Sequence, residues 1–116
     1  MTTLTQGMQT GEFVLSEASG MRSRDQKTVT IAGGVALASG TVLGKVTATG
    51  KLKAYNDANS DGTQTAVGIL YNPLPEVDGD YKATVFTRDC EVIGDRLAGS
   101  DANGVVDLAA LGIIVR

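Results

Sequence analysis

The chain has no histidine and no tryptophan, a single cysteine and two prolines in 116 residues. Without an imidazole, Ser-His and Cys-His nucleophile pairs, histidine general bases and histidine metal ligands are all excluded. Cys90 has no second cysteine to pair with in its own chain, which fits a reducing compartment, and with no imidazole beside it the sequence predicts a packed, inert thiol. Two Phe and three Tyr are the only aromatic side chains, so the core must be mostly aliphatic and modest. A chain that buries little by itself often gains the remainder by oligomerising. There is no long run of apolar residues, and the first residues, MTTLTQGMQTGE, carry neither a basic nor an apolar region. The expectation is therefore no membrane span and no secretion signal. A basic surface is missing too. The net charge is −3 and the densest basic stretch, Arg22, Arg24 and Lys27, is interrupted by Asp25, so it reads as a solvated segment and nucleic acid is not expected as a partner.

What is present is a β pattern. The length fits one domain with one core. Residues 1–27 are rich in Thr, Ser, Gly and Gln and lack sustained periodicity, the composition of a flexible arm. Within it Phe13, Val14 and Leu15 form an apolar island near Met8 and Met21. Such an island either docks on a partner or folds back on its own domain. From residue 28 to residue 116 the chain reads as a single β-rich body. Val29 and Ile31 alternate with Thr28 and Thr30 as a strand that ends at Gly33 and Gly34. Thr41 to Thr47 and Lys51 to Tyr55 form a predicted hairpin, with Leu52 and Ala54 on one side and Lys51, Lys53 and Tyr55 on the other. A polar loop over 56–65 precedes Ala66 to Tyr71, a short apolar run that predicts a buried strand. Asn72 to Asp80 holds both prolines and an Asp-Gly pair and predicts a turn-rich connection. Lys82 to Ile93 predicts a long strand with a bulge or break at Asp89. Ala102 to Gly112 predicts the one helix, capped by Asp101 or Asn103 and ended by Gly112, with Val105, Val106, Leu108, Ala109 and Leu111 as its apolar stripe. Ile113 to Val115 reads as a last strand.

Motifs that would carry chemistry fail on inspection. Gly40 to Val46 (GTVLGKV) is near a phosphate loop, but Ser39 stands where its first glycine is required and Val46 where a hydroxyl is. Gly44 is better read as a strand glycine at a bulge or a close approach. Asp57, Asn59, Asp61 and Gly62 match the first half of a calcium loop, yet Gly68 stands where a bidentate glutamate is needed, so the reading is a hairpin tip built from Asx turns. Glu91, Asp95, Asp101 and Asp107 are the acids that an acid-base site would have to bring together, and no spacing predicts that they converge. Lys51 and Lys53 lack the surroundings of a carrier-domain lysine, and Tyr55, Tyr71 and Tyr81 are few for a carbohydrate face. No enzymatic activity, cofactor, metal or small-molecule substrate is expected.

Three stretches together resemble the lambda-type phage head decoration protein family. They are TGEFVLSEASGMRSR at 10–24 with SGTVLGKVT at 39–47, DGTQTAVGIL at 61–70, and TRDCEVIGDRL at 87–97 with LAALGIIVR at 108–116. The segment between Leu97 and Leu108 is short for the family, which leaves the helix length open. The resemblance implies a mainly β, compact, β-clip-like body with one short C-terminal helix and a flexible N-terminal arm. It further implies a homotrimer on the outer surface of the expanded virion head, assembled in the host cytoplasm, that binds the major capsid protein and stabilises the shell against packaged DNA. On that basis Phe13, Val14, Leu15, Ser16 and Glu17 are the expected capsid-binding residues of the arm. The alternative is a β-rich phage adaptor or receptor-binding module with no cementing role.

Overall fold

A computed structural model describes residues 13–17, 23–31, 36–75 and 77–116. The strands are β1 (Val14–Glu17), β2 (Arg24–Ile31), β3 (Val42–Lys45), β4 (Leu52–Ala54), β5 (Ala66–Leu70), β6 (Gly79–Phe86), β7 (Cys90–Val92) and β8 (Ile113–Val115). One helix, α1 (Ala102–Ala110), lies between β7 and β8, preceded by a 3₁₀ turn at Gly94–Arg96. The strands β2-β4-β3-β5-β6 close into a barrel, and β1-β7-β8 form a separate three-stranded sheet. The architecture is thus mainly β with one helix near the C-terminus.

Closure follows from apolar runs that are buried on both sides. Successive residues of a strand face opposite ways. Leu43, Leu70 and Val85 point into the barrel with Val29, Ile31, Leu52 and Leu74. Their chain neighbours Val42, Ile69 and Phe86 point outward into a second cluster with Phe13, Val92, Leu108 and Ile113. The expected single core is therefore two clusters that share the wall β3-β5-β6. This explains why AVGILY is continuous instead of alternating.

Several sequence expectations hold. The hairpin pairs β3 with β4 antiparallel. The long strand breaks at Asp89, whose φ of 51° is left-handed. Asp101 caps α1 by accepting a hydrogen bond from the Gly104 N–H at 2.7 Å. Gly112, at φ 83°, lets the chain leave the helix and enter β8. Gly44 sits at a register shift of β3 against β5, where an added Cβ would lie 2.5 Å from the Thr63 Cα.

Others need correction. Tyr55 does not follow the alternation of β4: the pleat ends at Ala54, and the ring turns inward beneath α1, its hydroxyl donating to Asp101 Oδ1 at 2.8 Å. Only Gly104 and Leu108 of α1 are buried, and Val106 is 68% exposed. At 100° per residue Val106 lies almost opposite Leu108, so the five apolar residues do not share one face. The 56–65 loop is no hairpin tip, because β4 and β5 flank β3 and the loop crosses the end of that strand. Its Asx turns are present: Asn56 Oδ1 accepts from the Ala58 N–H at 2.9 Å and Asp61 Oδ1 from the Thr63 N–H at 3.1 Å. Finally, β2 begins at Arg24, not Thr28, so the expected arm boundary after residue 27 falls inside a strand. Residues 1–12 and 18–22 of that arm lie outside the described residues.

Candidate functional site

The five expected contact residues fall together on and beside β1. This strand pairs antiparallel with β7, Val14 opposite Val92, Ser16 opposite Glu91 and Glu17 opposite Cys90. The register shifts between Val14 and Ser16, so Leu15 occupies a bulge. Among the described residues β1 has no second strand partner, which makes it a sheet edge.

The side chains divide into anchors and exposed groups. Phe13 is fully buried and meets Phe86 edge to face, with ring centroids 5.6 Å apart. Its carbonyl accepts a hydrogen bond from the Ile93 N–H at 2.7 Å. Val14 packs against the same cluster. Glu17 accepts two hydrogen bonds from the Arg24 guanidinium, at 2.9 and 2.7 Å. That guanidinium lies over Tyr71, 4.3 Å from the ring centroid, and Tyr71 in turn packs edge-on against Phe86. The Glu17 side chain holds the Arg24 guanidinium above its usual range despite partial burial. One end of β1 is therefore clamped by an aromatic contact and the other by a fork of charge-assisted bonds. Between the clamps Leu15 is 52% exposed, and the exposed Ser16 donates its hydroxyl to Glu91 Oε2. Of the two readings of the apolar island, Phe13 lies within its own domain while Leu15 faces out.

Three of the acids that an acid-base site would require, Glu91, Asp101 and Asp107, are held by different protein donors. Glu91 accepts from Arg116 and Ser16, which lowers its pKa. Asp101 accepts from the Gly104 N–H and the Tyr55 hydroxyl, with the same effect. Asp107 accepts from the Ala66 N–H at 3.0 Å and ties α1 to β5. In the 56–65 loop Asp57 accepts from Asn103 at 2.9 Å, and the side-chain and backbone bonds of Thr63 hold Asp61 below the usual carboxylate range. No group of three His, Cys, Asp or Glu among the described residues is placed to hold a metal ion. Cys90 is buried, and desolvation, with Glu17 and Asp89 nearby, pushes its thiol up to about 11. No helix of the described residues is long and apolar enough to cross a membrane.

Sequence reasoning did not find the Arg24 clamp. Arg24 reads as one solvated charge among several, and nothing local marks Tyr71 and Phe86 as its partners.

No curated protein matches the chain. A family model, bacteriophage lambda head decoration protein D, matches residues 3–113 of the 116-residue chain. That match takes in β1, the barrel, α1 and the first residue of β8, and its family is one of structural proteins of the phage capsid. The chain belongs to the bacteriophage lambda head decoration protein D family.

Proposed function

We propose that the protein cements the phage head: it binds the outer surface of the expanded shell as a homotrimer, contacts the major capsid protein through the β1 edge, and resists the pressure of packaged DNA without any catalytic step. Phe13 and Glu17 hold β1 in place, and Leu15 and Ser16 face the shell, with Val14 between the two roles. The single observation that carries this reading is an anchored edge strand presenting an exposed Leu15. A strand edge offers unpaired backbone groups, and an extended shell segment can add to it by main-chain hydrogen bonds.

The anchoring matters for affinity. Ordering a loose segment costs about 1–2 kcal/mol of backbone entropy per residue, which would offset most of what a few hydrogen bonds and one leucine contribute. A strand already ordered in the folded body avoids that cost on binding. Three such edges in a trimer then act by avidity, which exceeds single-site affinity by roughly 10²-fold or more where the shell spacing fits.

The test is occupancy of purified expanded capsids by wild-type protein and by Leu15→Ser. Burial of a leucine contributes about 1.5–3 kcal/mol, so the variant should remain folded and trimeric but bind at least about tenfold more weakly per site. Unchanged occupancy would remove Leu15 from the interface. Absence of wild-type binding to any capsid would favour an adaptor role instead.

A further inference from the structure

A second surface has the chemistry of a docking groove. Lys27 of β2, Lys45 of β3 and Arg88, which follows β6, line an open groove of about 320 Å³ together with Leu52, Val67 and Leu111. Arg24 and Asp25 are neighbours on β2 and face opposite ways, so this groove and the β1 clamp lie on opposite sides of that strand. Asp25 is the one acid among the described lining residues, and Arg88 and Thr87 hydrogen-bond to it. Lys27 and Lys45 form no salt bridge with a described residue. Three cations and one anion thus surround an apolar floor in a chain whose net charge is −3.

We infer that this groove binds an acidic peptide segment of a protein partner, seated by one apolar side chain on Leu52, Val67 and Leu111 and ringed by Lys27, Lys45 and Arg88. Charge complementarity selects the occupant. Local positive potential in an acidic protein attracts carboxylates and repels basic segments. The volume lies at the low end of ligand clefts, about 300–1,000 Å³, which suits one aliphatic side chain and its flanking carboxylates. Taking that partner to be the shell rests on the decoration reading, in which the groove supplies a second contact beside β1.

The experiment is calorimetric titration of the intact protein with a synthetic peptide of about ten residues, carrying Asp and Glu on both sides of a single Leu. Saturable binding below about 1 mM is expected, weakening at least about threefold when salt is raised tenfold. It should be lost when the acids become Asn and Gln, and also in the Lys27→Glu, Lys45→Glu double variant. Both lysines are exposed, and an unchanged urea midpoint checks that the variant is folded. No saturable binding, or binding that survives the double variant, overturns the inference. So does equal competition by a short single-stranded DNA, which would mean that the groove reads charge alone. Capsid occupancy by wild-type protein is scored separately, so failure of the groove and failure of the decoration reading remain distinguishable.

Discussion

The ring of Phe13 is packed edge to face on Phe86 inside the outer cluster, and two residues further on Leu15 stands half in water. The two therefore make opposite predictions. Phe13→Ala removes a fully buried ring from a chain with only two phenylalanines, both in this one contact. It should cost about 3–5 kcal/mol, read as a lower urea midpoint. A loss below about 1 kcal/mol would mean that the segment does not sit where the structure places it. Leu15→Ser touches no core and should change stability by no more than about 0.5 kcal/mol. A large drop in its midpoint would contradict the division between anchor and exposed residue. Deleting the first twenty residues would remove both kinds at once, so it cannot separate folding from binding. Phe13, Val14 and Leu15 stand out in the sequence as an island, but their split into inward and outward residues does not. That split depends on the bulge at Leu15 and on Phe86, which is distant in the chain.

Among the elements, those whose signals are local were legible. The hairpin of β3 and β4, the buried run of β5, the break at Asp89 and the cap of α1 each follow from residues within a few positions. The early start of β2 was hidden because its first four residues are polar. Their partners lie on and just after β6: Gln26 donates to Thr84 Oγ1 at 2.7 Å, and Asp25 accepts from Thr87 at 2.8 Å. The parallel pairings of β2 with β4 and of β7 with β8 are likewise set by closure of the fold and leave no local pattern. Gly44 tests the barrel wall. In Gly44→Ala the new Cβ would meet Thr63 backbone, which cannot swing aside as a side chain would, so about 1–3 kcal/mol of stability should be lost. A midpoint at or above wild type would show that the wall between β3 and the 56–65 loop is loose. The cap of α1 gives a pH prediction. The Gly104 N–H and the Tyr55 hydroxyl lower the folded pKa of Asp101 below its unfolded value of about 3.9. Its contribution is therefore complete above that value and is lost as pH falls through about 4 toward the folded pKa. Asp25, Asp80 and Glu91, lowered by Arg88, Lys51 and Arg116 respectively, act in the same direction. Urea midpoints should fall between about pH 5 and pH 3. Asp101→Asn still caps the helix but cannot titrate, so its fall should be shallower than wild type. An identical slope would assign the acid sensitivity to the other carboxylates.

For the whole molecule, the family and the mainly β class were readable because matching stretches span most of the chain in order, whereas the closed barrel was not. The barrel and the outer cluster share one wall, so β1 is anchored to the same packed body that closes the barrel, which suits the proposed clamp. The proposed cementing role adds two claims of geometry: three copies act together, and they recognise only the expanded shell. A trimer is the assembly through which weak single edges gain avidity. Image reconstruction of expanded and unexpanded shells, each incubated with the purified protein, tests both claims at once. Density in groups of three is expected at the local threefold positions of the expanded shell, with β1 toward the shell, and none on the unexpanded one. Single copies, equal decoration of both shells, or β1 facing solvent would contradict it.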